Sequence, residues 1–201
     1  MSASERLAEG PLWVATTNEH KAQEIAAILA PLGIEVRRPE HLDEVIEDGE
    51  TFADNARLKA RAAAAALGAP ALADDSGLCV EVLDGAPGVH SARYAGPEAT
   101  DADNNALLVE RLSAMGAVDP AAAFVCHLTI AGPDGELLLE ADGRVEGMIR
   151  WPEAGGGGFG YDPLFFHPPS GCRLSELSPE AKNAVSHRGR ALRALADQLR
   201  G

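Results

Sequence analysis

The sequence has few cysteines and few positive charges, and each shortage argues against a class of protein. The three cysteines, Cys79, Cys126 and Cys172, lie far apart and form no CxxC pair. This spacing argues against a disulfide framework or a zinc site and favours reduced thiols in a cytoplasmic protein. Lys and Arg number 17 against 31 Asp and Glu, which gives a formal net charge of −14. We therefore expect neither a nucleic-acid nor an anionic-membrane partner, because phosphate polymers bind to basic faces.

Long apolar runs are also missing. Residues 1–10 lack the apolar segment of a signal peptide, and no later run approaches the length that spans a membrane. We therefore expect a soluble, cytoplasmic protein with a short N-terminal tail over 1–10. A chain of 201 residues is long enough for one domain, or one domain with two lobes, around a substantial core.

Several common motifs of nucleotide and acyl-transfer chemistry are absent. The sequence contains no GxxxxGK[ST], which excludes a P-loop NTPase, and no GxGxxG follows the first apolar run. A GxSxG elbow and a Cys–His arrangement are absent too, and the six histidines lack the spacing of a metal site. Any phosphate chemistry must therefore use another arrangement of residues.

Apolar periodicity predicts strands that alternate with helices at first, followed by a hairpin. The predicted strands cover 12–15, 34–37, 78–83, 123–131, 137–141 and 164–166. Helix starts are predicted at Asn18, Thr51, Thr100 and Ser178, with an interruption of the last helix near 186–189. This order of elements predicts an α/β fold with a mixed β-sheet.

Two adjacent acids, Asp74 and Asp75, follow a short apolar run and precede Ser76 and Gly77. A pair of acids at the mouth of a strand is one way to hold Mg²⁺, which needs only one or two protein carboxylates. The alternative is a solvent-exposed Asp turn whose side chains cap backbone amides. This segment alone leaves both interpretations open.

A candidate anion site lies near the N-terminus, where the first strand leads through 16–18 into a helix. The start of a helix offers backbone N–H groups and a partial positive charge. Lys21 in the first turn opposes the helix dipole, so either a phosphate sits in front of it or it is a solvated lysine beside a plain cap. On the next helix, Asn55 and Lys59 lie one turn apart, and both can point at one site.

Later segments add features that suit a phosphate substrate. Four glycines over 155–158 precede Phe159 and indicate either a flexible linker or a close approach to a ligand. Lys182, His187 and Arg188 form a late basic group. An anion site, a set of acids and a group of cations together suit a metal-bound phosphate substrate.

Seven short motifs then occur in the order of one known family. They are TTNEHK (16–21), TFADNA (51–56), ADDSGL (73–78), GAPG (85–88), SARY (91–94), GFGYDP (158–163) and SHRG (186–189). In this order the chain resembles the inosine triphosphate pyrophosphatase family, also called Ham1-like, from about residue 12 to residue 200. Each motif alone is weak, whereas seven in order are specific.

The resemblance implies a reaction and an architecture. It implies Mg²⁺-dependent hydrolysis of ITP, dITP and XTP to the monophosphate and pyrophosphate, which removes deaminated purines from the nucleotide pool. It also implies a homodimer in which an elongated mixed β-sheet is flanked by helices. The active site would lie in the cleft between two lobes of a single domain over 1–201.

The resemblance also implies roles for residues. The catalytic residue falls on Asp75, and the metal carboxylates fall on Asp75 with Glu47 or Asp74. The expected substrate-binding residues are Thr16, Thr17, Asn18, Glu19, His20, Lys21, Ser76, Phe159, Gly160, Tyr161, Asp162, Lys182, His187 and Arg188. The chain departs from the family at Thr17, where glycine is frequent. We therefore expect this turn not to need a left-handed residue.

Two other functions remain as alternatives. One is a Maf-like NTP pyrophosphatase for pyrimidine or modified nucleotides, against which segments 159–162 and 186–189 speak. The other is a non-catalytic nucleotide-binding regulator, which should lack a competent acid such as Asp75. Single residues also have structural interpretations, since Phe159 and Tyr161 can be core aromatics and His187 can cap a helix.

Overall fold

The computed structural model describes residue 7 and residues 10–43 and 45–200, so most of the expected tail over 1–10 lies outside the described residues. The strands are β1 Leu12–Val14, β2 Val36–Arg37, β3 Ala71–Val80, β4 Ala121–Ala131, β5 Leu137–Ile149, β6 Phe165–His167 and β7 Cys172–Arg173. The helices that carry the argument are α1 Glu19–Leu29, α2 Phe52–Leu67, α3 Asp101–Ala114, α4 Pro179–Val185 and α5 His187–Arg200. None of the described helices is long and apolar enough to cross a membrane.

One seven-stranded sheet contains all of these strands, in the order β2-β1-β3-β4-β5-β6-β7. Strand β1 runs parallel to both β2 and β3, with Trp13 opposite Ala71 in the second pair. Strand β6 runs antiparallel to both β5 and β7, with Phe166 opposite Met148 and Arg173. The predicted α/β fold with a mixed sheet is therefore confirmed.

The helix starts follow from local side-chain chemistry. Asn18, Thr51, Thr100 and Ser178 each accept a hydrogen bond from the backbone N–H three residues further on. Each bond satisfies one of the N–H groups that have no partner within the helix. Ser186 has extended backbone between α4 and α5, so the predicted interruption of the last helix is confirmed.

Two predictions around the paired acids are wrong. Asp74 and Asp75 lie in the middle of β3, which continues without a break to Val80, and residues 81–83 form a turn of 3₁₀ helix. The Asp-turn interpretation and a separate strand over 78–83 are both incorrect. Most of β3 is buried on both faces, so it shows no alternation of apolar and polar residues from which its length could be inferred.

The chain divides into two compact units, each with its own core. The first comprises Met1–Asp75, Cys126–Gly143 and His187–Gly201, and the second comprises Ser76–Val125 and Arg144–Ser186. In the first unit, apolar side chains of β1, α1, β4 and α5 pack together. In the second unit, apolar side chains of α3 pack with those of the second halves of β3 and β5.

Candidate active site

The first unit places the predicted phosphate-binding segment at the start of α1. Asn18 caps the helix, and its own N–H donates to Thr16 Oγ1 at 3.1 Å. Thr17 is not among the residues with positive φ, as expected from its β-branched side chain. Residues 17–20 are exposed, whereas Lys21 is half-buried and its Nζ lies 2.5 Å from Asp74 Oδ1.

Asp75 is the centre of a second group in this unit. Lys59 Nζ lies 2.8 Å from Asp75 Oδ1 and 3.1 Å from Glu47 Oε1, so one ammonium joins the two carboxylates. Asn55, one turn before Lys59 on α2, donates from Nδ2 to Asp75 Oδ2 at 3.4 Å. The predicted metal carboxylates, Glu47 and Asp75, therefore lie next to the same cation.

The loop before α2 is fixed by Gly49. Its N–H donates to Asn55 Oδ1 at 2.9 Å, which orients the Asn55 amide group toward Asp75. A Cβ atom at Gly49 would lie 2.6 Å from Asn55 Oδ1 and 2.7 Å from Asp54 Cβ, so only glycine fits without a shift. The close approach holds the segment that carries Glu47 against the start of α2.

Burial and charge set the protonation of this group. Burial raises the pKa of the Asp75 carboxyl above its ordinary value, and the nearby Lys59 ammonium offsets only part of this effect. Burial alone would lower the pKa of Lys59, but the carboxylates of Asp75 and Glu47 outweigh it and raise that pKa. Lys59 is therefore a fixed positive charge beside a carboxylate of increased basicity.

Asp74 has a different set of partners. Its Oδ2 accepts from Arg188 Nε at 3.0 Å and from the Cys126 thiol at 3.0 Å, and its Oδ1 faces Lys21. Burial alone would raise the pKa of Asp74, but Arg188 and Lys21 hold it well below its ordinary value. Arg188 is 1% exposed and also pairs with Glu24. The structure thus places Arg188 in a buried ion cluster, where its guanidinium contacts carboxylates.

His187 begins α5 and is buried, directly before Arg188. A Cβ atom at Gly143 of β5 would lie 1.9 Å from the backbone oxygen of His187. Only glycine permits this approach, which fixes the start of α5 against β5.

The second unit holds the remaining predicted residues. Phe159 is half-buried, and Lys182 Nζ lies 4.4 Å from the centroid of its ring. Asp162 accepts from Phe159 N at 2.9 Å and pairs with Lys182 Nζ at 2.7 Å. Tyr161 belongs to the hydrophobic core of this unit, and its hydroxyl donates to Ser91 O at 2.9 Å. Phe159 and Lys182 thus form a cation–π pair anchored by Asp162.

Asn55 and Lys59 belong to the site, although the sequence predicted no specific role for either. The spacing of Asn55 and Lys59 indicated that both can face one site, but not which residues they face. Ser76, in contrast, was expected in the site and lies half-buried on β3, in the part of the strand assigned to the second unit.

The donor set around Asp75 suits a magnesium ion. Within the described residues, no group of three or more His, Cys, Asp and Glu side chains is arranged to hold a metal. Zinc and most transition-metal sites need such groups, whereas Mg²⁺ takes one or two carboxylates and completes its shell with water and phosphate oxygens. Glu47 and Asp75 supply such a pair.

Paired carboxylates and lysines near the start of a helix suit a metal-complexed phosphate, because the helix start attracts phosphate and the carboxylates can hold the metal. The sequence pattern of the Ham1 family matches residues 12–198. Because this match spans most of the chain, the protein belongs to the Ham1 family.

Individual relatives agree with this assignment. A dITP/XTP pyrophosphatase of Geobacter sulfurreducens is 50% identical over 191 residues, which cover 94% of this chain and 96% of that protein. A dITP/XTP pyrophosphatase of an Exiguobacterium species is 49% identical over 192 residues, again 94% and 96% of the two chains. Among solved structures, a HAM1 protein from Coxiella burnetii has a TM-score of 0.86 and 40% identity, covering 94% of this chain and 98% of that one. The Staphylococcus aureus Ham1 protein has a TM-score of 0.84 and 38% identity, covering 96% and 99%.

Proposed function

We propose that this protein hydrolyses non-standard purine nucleoside triphosphates, namely ITP, dITP and XTP, to the monophosphate and pyrophosphate in a Mg²⁺-dependent reaction. Membership of the Ham1 family and the names of the relatives support the reaction. The observation that carries the proposal is the Asp75 carboxylate, buried, raised in pKa and 2.8 Å from the Lys59 ammonium, with Glu47 beside it.

Glu47 and Asp75 are the residues that would hold the metal. A bound Mg²⁺ would neutralise charge on the phosphates and orient the attacking water. Lys59 keeps the two carboxylates close together, since its Nζ lies within about 3 Å of both. The mutual repulsion of the acids is thereby reduced.

Asp75 then acts as the general base. It accepts a proton from a water molecule, whose oxygen forms a bond to the α-phosphorus while the bond from that phosphorus to the bridging oxygen breaks. Pyrophosphate is the leaving group. The raised pKa of Asp75 makes its carboxylate a better proton acceptor than an exposed Asp.

Lys21 favours a polyphosphate substrate. Lys21 lies at the start of α1, where the helix N-terminus already attracts anions. Asp74 fixes the Nζ atom of Lys21, so that this charge needs no reorganisation when a phosphate binds.

The segment of residues 159–162 is the proposed base pocket. Phe159 offers an aromatic face for stacking, and Lys182 is held against its ring. The 6-oxo group of hypoxanthine or xanthine accepts hydrogen bonds, whereas adenine has a 6-amino donor at that position. The Lys182 ammonium beside the ring can only donate, so it suits the 6-oxo acceptor and disfavours adenine, whose 6-amino group is also a donor.

A pyrophosphate-release assay tests the proposal, with ITP, dITP, XTP, ATP, GTP and dTTP as substrates and with Mg²⁺ or EDTA present. We expect kcat/KM for ITP and XTP to exceed that for ATP by at least about 10²-fold. Equal rates on ATP and ITP would contradict the specificity. A preference for pyrimidines would favour the Maf-like alternative, and binding without turnover would favour the regulator.

The metal site is tested separately by a pair of matched variants. Glu47→Gln should raise the Mg²⁺ concentration for half-maximal rate, because one of the two proposed ligands loses its charge. Glu50→Gln removes an exposed acid from the same loop and should leave that concentration unchanged. The same response in both variants would show that Glu47 is not a metal ligand.

We further propose that the protein is a cytoplasmic homodimer. Support comes from the family resemblance and, for the location, from the three free cysteines. Sedimentation velocity should show one species of twice the chain mass, and a species of single mass would contradict the dimer.

A further inference from the structure

Two side chains of α3 hold both backbone polar groups of Gly160. The Gly160 N–H donates to Asp101 Oδ2 at 2.7 Å, and Asn105 Nδ2 donates to Gly160 O at 3.1 Å. Asp101 and Asn105 are four residues apart, so they lie one turn apart on the same face of the helix. Gly160 has φ of +60°, a left-handed conformation that side chains disfavour.

This clamp fixes the residues on either side of Gly160. Rotation about the Gly160 backbone would turn Phe159 relative to Tyr161. Phe159 is tied through its N–H to Asp162, and Tyr161 is tied through its hydroxyl to the backbone of Ser91. Gly160 has no side chain of its own, so it depends on α3 for its position.

Stability alone does not explain why a buried asparagine stands at position 105. It is 3% exposed, and its Oδ1 has no hydrogen-bond partner in the part of the chain that the structure describes. The Gly160 oxygen can only accept, so the amide nitrogen of Asn105 must face it, which leaves Oδ1 inside the protein. A buried acceptor without a partner destabilises a fold, so stability alone favours an apolar residue here.

We propose that Asp101 and Asn105 are positioning residues that set the nucleobase selectivity of this enzyme by locking Gly160. The inference rests on the proposed function, since it takes segment 159–162 as the base pocket. The two residues act through the backbone of that segment and need not touch the nucleotide.

Variants of Asn105 separate positioning from folding. Asn105→Leu removes one of the two clamp contacts together with the unpaired oxygen, so the two effects on stability offset and its melting temperature should stay close to that of the wild type. Its KM for ITP should rise and its preference for ITP over ATP should fall, by roughly ten- to a hundredfold. Asn105→Asp places a carboxylate against the Gly160 oxygen and should show a larger loss.

Two variants of Asp101 test whether the acceptor for the Gly160 N–H is what maintains the selectivity. Asp101→Asn keeps an acceptor for the Gly160 N–H and should retain most of the selectivity, whereas Asp101→Leu should lose it. Glu110→Leu is the matched control, because it replaces an exposed acid on the same helix. It should behave as the wild type.

Inorganic tripolyphosphate provides the decisive readout, since it carries the phosphates without a base. Its inhibition constant should be the same in the wild type and in every variant. A parallel loss of tripolyphosphate binding would show a general structural role and overturn the inference. An active wild type with unchanged selectivity in Asn105→Leu and Asp101→Leu would overturn this inference alone. A wild type inactive on ITP would overturn the proposed function, and this inference with it.

Discussion

The two faces of β3 place neighbouring carboxylates in opposite surroundings. Successive side chains of a strand point to opposite faces, so Asp74 and Asp75 meet different hydrogen-bond partners. Asp74 meets two cations, Lys21 and Arg188, and the thiol of Cys126. Asp75 meets one cation, Lys59, and the amide group of Asn55. The pKa of Asp74 is lowered as a result, whereas that of Asp75 is raised.

The difference distinguishes Asp74, an anchor held by cations, from Asp75, the proposed proton acceptor. The carboxylate of Asp74 is held by three side-chain donors in a fully buried position, which makes it a poor base and a good organiser of cations. Asp75 has fewer compensating contacts, so its charge is less stabilised and its basicity is higher. The sequence alone shows only two adjacent acids.

The largest expected effect follows from removing Asp75, the proposed general base. Asp75→Asn should lower kcat for ITP by about 10²- to 10⁴-fold, because the amide cannot accept the proton of water. The melting temperature should not fall by more than a few degrees, since a carboxyl group whose pKa is raised on folding adds no stability at neutral pH. Pyrophosphate release and thermal unfolding measure the two effects. The control is Asp197→Asn, at an exposed position on α5. An unchanged kcat in Asp75→Asn would refute the proposal that Asp75 is the general base.

For Asp74, the anchor, the main expected effect is on stability. Asp74→Ala leaves the buried charge of Arg188 and the half-buried charge of Lys21 without their shared carboxylate, so we expect the free energy of unfolding to fall by about 3–5 kcal/mol. Urea unfolding measures this loss. Glu146→Ala breaks an exposed pair with Arg144 and should cost only about 0–1 kcal/mol. Similar costs in both variants would mean that the cluster around Asp74 is not a special source of stability.

The pH dependence of the rate tests whether Lys59 lowers the pKa of Asp75. The base must be ionised, so the rate falls as pH drops through its pKa. Lys59 lowers that pKa, and Lys59→Met should therefore shift the acid limb of kcat/KM to higher pH. Arg61→Met, on the exposed face of the same helix, should leave the limb in place. A shift to lower pH in Lys59→Met would contradict the assignment of the limb to Asp75.

The parts of the fold that were predictable depend on local chemistry. The cap residues Asn18, Thr51, Thr100 and Ser178 bond to a backbone group three residues away, so the sequence contains the whole interaction. Strand β3 was not predictable in the same way. Its two acids are compatible with a buried strand only because cations from distant parts of the chain reach them.

The same limit applies to the candidate site. Lys21 lies 53 residues from Asp74 and Arg188 lies 114 residues from it, so no spacing rule connects them. The helical spacing of Asn55 and Lys59 indicated a shared direction, because that relation is local. The carboxylates that Lys59 meets are set by tertiary packing, which places the loop of Glu47 against the strand of Asp75.

The smallest expected effect concerns the third donor to Asp74. Burial, reinforced by Asp74, raises the pKa of the fully buried Cys126 thiol well above its ordinary value, so the sulfur keeps its proton and donates to Oδ2 at 3.0 Å. Cys126→Ala should lower the free energy of unfolding by about 1–2 kcal/mol, and Cys126→Ser, which retains a donor, should lower it less. Cys79→Ala removes a half-buried thiol outside this cluster and is the control for packing. If urea unfolding gives equal losses for both alanine variants, the Cys126 thiol contributes packing alone, and Lys21 and Arg188 suffice to hold the anchor.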